Sequence, residues 1–149
     1  MERFNLLRGE LEHEFERGGS HWHTTRVADH VSAEKIGASL YELGEGERTF
    51  PYHFHHGVEE WLLVVAGSPV VRTPVGEREL RVGDVVCCPS GPEGAHSIRG
   101  PGRVLILSHG GPPSVSVYPD SDKLGTRPTE IADRLNFRRG DAVDYWEGE

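Results

Sequence analysis

The chain has 149 residues, a formal net charge of −8 and a pI of about 5.6, a length that fits one domain. Its acid excess and scattered basic residues argue against a nucleic-acid or acidic-membrane partner, and no apolar run approaches the ~18 residues of a membrane span. The two cysteines, Cys87 and Cys88, are adjacent, and neighbours on a strand point to opposite faces, which argues against a disulfide between them. Reduced thiols and an N-terminus without a signal-peptide core predict a cytoplasmic protein.

Residues 1–35 show no clean period and are expected to form an N-terminal arm. Within them the charged run 10–16 (ELEHEFE) reads as a solvated arm or one short helical turn. From residue 36 the texture becomes strand-like. IGASLYEL (36–43) is a strand and GEGE (44–47) a turn. RTFPYHFHH (48–56) is extended, with Pro51 marking an edge or a strand start. EEWLLVVAG (59–67) is a strong strand, and 68–80 reads as a hairpin turning at Pro74–Gly76. VGDVVCCPSG (82–91) is a strand closed by a turn, HSIRG (96–100) a short one, RVLILS (103–108) a strong one and SVSVY (114–118) a weaker one. The tail 119–149 differs: 128–135 has the pattern of a short helix, and the acidic end carries Tyr145 and Trp146.

About nine short strands broken by Gly and Pro, with no long helix between them, predict an all-β, single-domain antiparallel sandwich or barrel. The expected division is an arm at 1–35, a barrel at 36–118 and a tail at 119–149. WLLVV and VLIL are apolar on both strand faces, so both faces must be covered. The arm, the tail or a second copy would supply that cover, and a homodimer is expected.

The stretch PYHFHHGVEEWLLVVAG (51–67) sets three histidines and two glutamates beside the most apolar segment. Strand alternation points His53 and His55 the same way. A hairpin between 56 and 59 brings a glutamate across from them, Glu60 or its neighbour Glu59, and His96 follows a turn-rich loop. Imidazoles and a carboxylate left unpaired beside a core would carry several kcal/mol of desolvation. A divalent metal offsets that cost and suits these donors.

These residues also resemble a family, the cupin superfamily in its small single-domain form. Its first motif is Gly, five residues, His-x-His, three or four residues, Glu, six residues, Gly. Here His53-Phe54-His55 is followed after four residues by Glu60 and after six more by Gly67, while Glu47 stands in the leading glycine's place and Gly46 precedes it. The second motif is Gly, five residues, Pro-x-Gly, two residues, His, three residues, Asn. Gly83, Pro89 and Gly91 fit; His96 comes after four residues instead of two, and Gly100 stands at the Asn. The resemblance covers about 40–110. It implies a jelly-roll β-barrel that holds one divalent transition metal ion per chain (Fe, Mn, Zn or Ni, not distinguished by the donors) through His53, His55, Glu60 and His96. The spacing to Gly67 favours Glu60 over Glu59, and His56 is expected to point away.

His21-Trp22-His23 repeats the His-x-His pattern, but no Glu and Gly follow at the family spacing, so it reads as an arm segment. Tyr52 and Trp61 should face away from the metal. Ser39, Tyr41, Arg48 and Arg72 are candidates to line the pocket, and Cys88 to face inward. The functional expectation is a metal-dependent enzyme of the dioxygenase, isomerase, decarboxylase or lyase class acting on a small polar metabolite. The alternatives are a non-catalytic barrel that binds or senses a small ligand, and a barrel that its metal merely stabilises.

Overall fold

The computed structural model describes residues 1–109, 111 and 113–149. The described residues form thirteen strands: β1 (His13–Arg17), β2 (Ser20–Thr25), β3 (Ile36–Leu43), β4 (Phe54–His56), β5 (Glu59–Gly67), β6 (Val70–Thr73), β7 (Gly76–Glu79), β8 (Val85–Cys88), β9 (Ser97–Arg99), β10 (Gly102–His109), β11 (Ser114–Tyr118), β12 (Lys123–Arg127) and β13 (Asn136–Arg138). One four-residue helix, α1 (Val27–His30), separates β2 from β3.

All pairings are antiparallel. A six-stranded sheet runs β1-β2-β3-β10-β5-β8, a four-stranded sheet β13-β12-β11-β4, and a three-stranded sheet β7-β6-β9. The sheets pack as a jelly-roll-like sandwich. Among the described residues their hydrogen bonds do not close into one cylinder, so the expected barrel is a sandwich in this strict sense.

The core lies between the sheets. The even-numbered residues of β5 point inward, and Leu62 and Val64 are fully buried against Leu43, Val71, Ile98, Val104 and Ile106. Cys88 faces this core, while Cys87, next along the strand, is exposed. The opposite face of the same strands has its own cover. Phe4, Leu6, Leu11 and Val27 pack on Leu40, Leu63, Val65, Leu105 and Leu107. Arg103 ties this cover down through the carbonyls of Leu6 and Leu7 at 3.1 and 3.0 Å and the Glu42 carboxylate at 2.6 Å. The doubly apolar strands are therefore roofed, in large part, by the chain's own N-terminal segment.

Two expectations change. The run 10–16 contains no helical turn; residues 13–17 are β1, paired to β2 in the large sheet. Every residue of β1 is exposed, so no inward apolar residue marks its period of two, although Phe15 stacks on Trp22 at 4.1 Å. In 128–135 only a 3₁₀ turn, Ile131–Asp133, forms, and the segment leads into β13. Its apolar residues Ile131 and Leu135 are 79% and 57% exposed. A helix draws most of its stability from a packed apolar face, which is missing here.

Candidate metal centre

Local backbone geometry brings the histidines and Glu60 together. His53 and His96 form an isolated antiparallel bridge, each amide bonding the other's carbonyl at 3.1 and 2.8 Å. This sets their rings side by side, with centroids 5.0 Å apart. His55, two residues along from His53, points to the same side, and the His53 and His55 Nε2 atoms lie 2.9 Å apart. Glu60 is the second residue of β5, where Cys88 and Ser108 flank it, and its Oε2 stands 3.3 Å from His55 Nε2 and 3.4 Å from His96 Nε2. Glu59 points outward and accepts a hydrogen bond from the Trp61 indole at 2.8 Å.

The loop before His96, two residues longer than the family pattern, is taken up by a 3₁₀ turn at Pro92–Gly94. A side chain at Gly94 would meet the Pro89 carbonyl, so the turn closes only with glycine there. Gly91 N–H bonds the His55 carbonyl at 2.8 Å and fastens the loop to β4.

Each imidazole is held by its outer nitrogen. His53 Nδ1 donates to the Pro51 carbonyl and His96 Nδ1 to the Gly94 carbonyl, both at 2.9 Å. His55 Nδ1 meets the Ser116 hydroxyl at 3.0 Å across the β4–β11 pair. Such contacts fix the tautomer, so the inner nitrogens of His53 and His96 carry lone pairs. All three histidines are buried. Burial first, then the charges of His96 and His55, pushes His53 down to about 3. Burial likewise lowers His96. Burial works to raise the Glu60 carboxyl, but the neighbouring imidazoles, His55 foremost, outweigh it and leave the group below its usual range. The rings of His53 and His96 are thus neutral beside a carboxylate.

The lone pair of His96 Nε2 should repel the Glu60 carboxylate, and here the two converge to 3.4 Å. Glu60 Oε2 and His96 Nε2 are buried with no hydrogen-bond partner. One donor atom each from His53, Glu60 and His96 falls within 4.8 Å of the others, which marks these residues as candidate metal ligands. The contacts of 2.9, 3.3 and 3.4 Å match the ~3.0–3.4 Å expected between adjacent donors on a divalent ion bound at about 2.1 Å. The donor set fits a divalent transition metal.

The remaining predicted residues divide by face. Tyr41 and Trp22 turn inward, and Phe50 stands edge-on to His53 at 4.7 Å and to His96 at 5.9 Å. Burial first, then the Glu60 charge, raises the Tyr41 phenol, while a hydrogen bond with Ser39 opposes the shift. Arg48 and Arg72 do not join the cluster. They line a surface cleft with Tyr52, Arg99 and Asp120, where Arg72 stacks on Tyr52 at 3.9 Å and pairs with Asp120. His56 is exposed, and Trp61 is 47% exposed. Three contributors escaped sequence reasoning: Phe50, Ser116, and Tyr118, whose ring stacks on His53 at 5.8 Å. The signal for Ser116 was its alternation with Ser114 on one face of an otherwise apolar strand.

Sandwich and cluster together define a small jelly roll with a buried, histidine-rich cluster. Residues 39–109 match the family model described as the cupin domain, and this segment is a cupin domain. Among solved structures, the chain is similar to a sugar phosphate isomerase of the cupin superfamily from Silicibacter pomeroyi, with TM-score 0.78, 19% identity and 94% of each chain covered. It is also similar to a protein from Acidithiobacillus ferrooxidans provisionally named a sugar phosphate isomerase, with TM-score 0.74, 23% identity and 84% of this chain and 81% of that chain covered. The polyketide cyclase RemF from Streptomyces resistomycificus follows with TM-score 0.60, 23% identity and 76% of this chain and 83% of that chain covered. At these identities the likeness speaks for the fold. No curated protein matches the chain in sequence.

Proposed function

We propose that His53, His55, Glu60 and His96 hold one divalent transition metal ion, and that the protein uses it to transform a small polar metabolite bearing adjacent oxygens, such as a hydroxy-keto or enediol group. The unpartnered, buried Glu60 Oε2 and His96 Nε2 carry this reading. A bound metal supplies Lewis acidity at the substrate oxygens. The chain's own residues do the rest. Pro51, Gly94 and Ser116 aim the rings through their outer nitrogens. Phe50 and Tyr118 wall off water along His53. Tyr41 keeps its proton at neutral pH, because burial and the Glu60 charge raise its phenol, and so offers a hydroxyl donor to a substrate oxygen. Isomerase chemistry is favoured within the broader class, and two fold relatives named for sugar phosphates agree with it.

The test is turnover by the metal-loaded protein on a panel of hydroxy-carbonyl compounds, sugar phosphates included, beside metal content by elemental analysis. His53→Ala and Glu60→Ala should lose metal and turnover together, while His56→Ala keeps both. Full metal content in Glu60→Ala would sink the ligand assignment. A tightly bound metabolite that is never turned over would favour a sensor. The same reading includes a homodimer. Trp61 and Val85, on the outer face of β5 and β8, stay 47% and 54% exposed, beyond the reach of the N-terminal cover, and light scattering should give twice the chain mass.

A further inference from the structure

We propose that the outer face of the β1–β2 hairpin carries a second metal site, in which Glu14, His21 and His23 bind Zn²⁺ and Glu47 holds His21 in place. The hairpin register builds it. Glu14 lies opposite His23 and Glu16 opposite His21, so alternation puts Glu14, His21 and His23 on one face. Phe15 and Trp22 occupy the other face and stack on each other. One donor atom from each of the three residues falls within 4.8 Å of the others. Glu14 Oε1 is 2.9 Å from His21 Nε2 and 3.7 Å from His23 Nε2.

The ring of His21 is set up in advance. Its Nδ1 bonds the Glu47 carboxylate, and the other oxygen of Glu47 accepts the Gly44 amide at 2.6 Å. A carboxylate on the outer nitrogen of a histidine orients the ring, fixes its tautomer and strengthens it as a ligand. Nδ1 then keeps its proton on Glu47, and Nε2, 2.9 Å from Glu14 Oε1, becomes a zinc ligand once the ion displaces the proton it shares with that carboxylate. Two imidazoles and one carboxylate, with solvent completing the shell, form a set suited to zinc. His21, His23 and Glu14 are 31%, 43% and 62% exposed, so an ion reaches them freely.

Arrangement, not composition, separates this group from a solvated charge cluster. Its donors come from two strands, and its supporting carboxylate comes from the turn after β3. Zinc there would fasten a hairpin whose first strand is wholly exposed to the sheet that carries the cupin site. A proton shared between His21 and the two carboxylates is the competing occupant of the same nitrogen. The His-x-His pattern at 21–23 has no glutamate and glycine after it at the family spacing; the carboxylate arrives from upstream, across the hairpin.

The experiment titrates the full chain, stripped by chelator, with Zn²⁺ at neutral pH, and follows the histidine ring resonances by NMR. The expected result is a zinc equivalent that perturbs His21 and His23 and survives in His53→Ala. His23→Ala and Glu14→Gln should remove it, and Glu47→Gln should weaken it by ~10–100-fold. Glu14→Gln, on an exposed strand, guards against loss through misfolding. Identical zinc stoichiometry in wild type, His23→Ala and Glu14→Gln would overturn the site, as would loss of all zinc in His53→Ala. If the cupin cluster itself binds no metal, wild type takes up a single equivalent that His23→Ala abolishes. The two sites thus stand or fall separately.

Discussion

Acid should unfold the metal-free protein through its histidine cluster. His53 is held down to about 3, chiefly by burial, whereas an unfolded histidine titrates near ~6.5. Between those values the unfolded chain takes up a proton that the folded chain refuses, so stability falls as pH falls. The slope for one such group reaches ~1.4 kcal/mol per pH unit, and over the whole window His53 alone accounts for at most about 4–5 kcal/mol. A domain of this size has only ~5–15 kcal/mol in total. His96, lowered by burial, acts with the same sign. Glu60, also lowered, adds a further loss once the pH drops through the carboxylate range. Urea unfolding in chelator, stepped downward from neutral pH, reads the slope directly. His53→Gln removes one titrating group and should flatten it. A wild-type midpoint that stays constant from about pH 6.5 to about pH 4.5 would refute the claim that the folded cluster excludes protons.

Ser116→Val removes the partner of His55 Nδ1 and should weaken metal binding by ~10–100-fold with the sheet intact, measured by competition with a chromophoric chelator. Gly67→Ala meets two obstacles, a φ of +78° and a Cβ only 2.6 Å from Gly102 Cα. A loss of roughly 1–3 kcal/mol or more is expected in the denaturation midpoint. Arg103→Ala releases the carbonyls of Leu6 and Leu7 and the Glu42 carboxylate. Limited proteolysis should then cut faster within residues 1–11, at a cost to the cover of about 1–3 kcal/mol.

Local pattern was enough for much of the fold. The bounds of β3, β5 and β11 follow from apolar runs ended by Gly, Pro or polar residues. The common face of His53 and His55 follows from the period of two. The choice of Glu60 over Glu59 rests on the same parity, since one step along β5 turns a carboxylate from the cluster to the surface.

Parity says which residues share a face, but not what that face meets. Only the packed chain decided that Phe4, Leu6 and Leu11 roof β3, β5 and β10. It also decided that Arg48 and Arg72 line a cleft away from the histidines, and that Ser116 reaches His55. Strand β1 stayed hidden because all of its residues are exposed, so burial left no periodic trace in that part of the chain. The sequence by itself determined which side chains sit beside one another along a strand, because the backbone repeats every two residues. Contacts between distant segments depend on register and on how the sheets pack, and only the tertiary structure selected them.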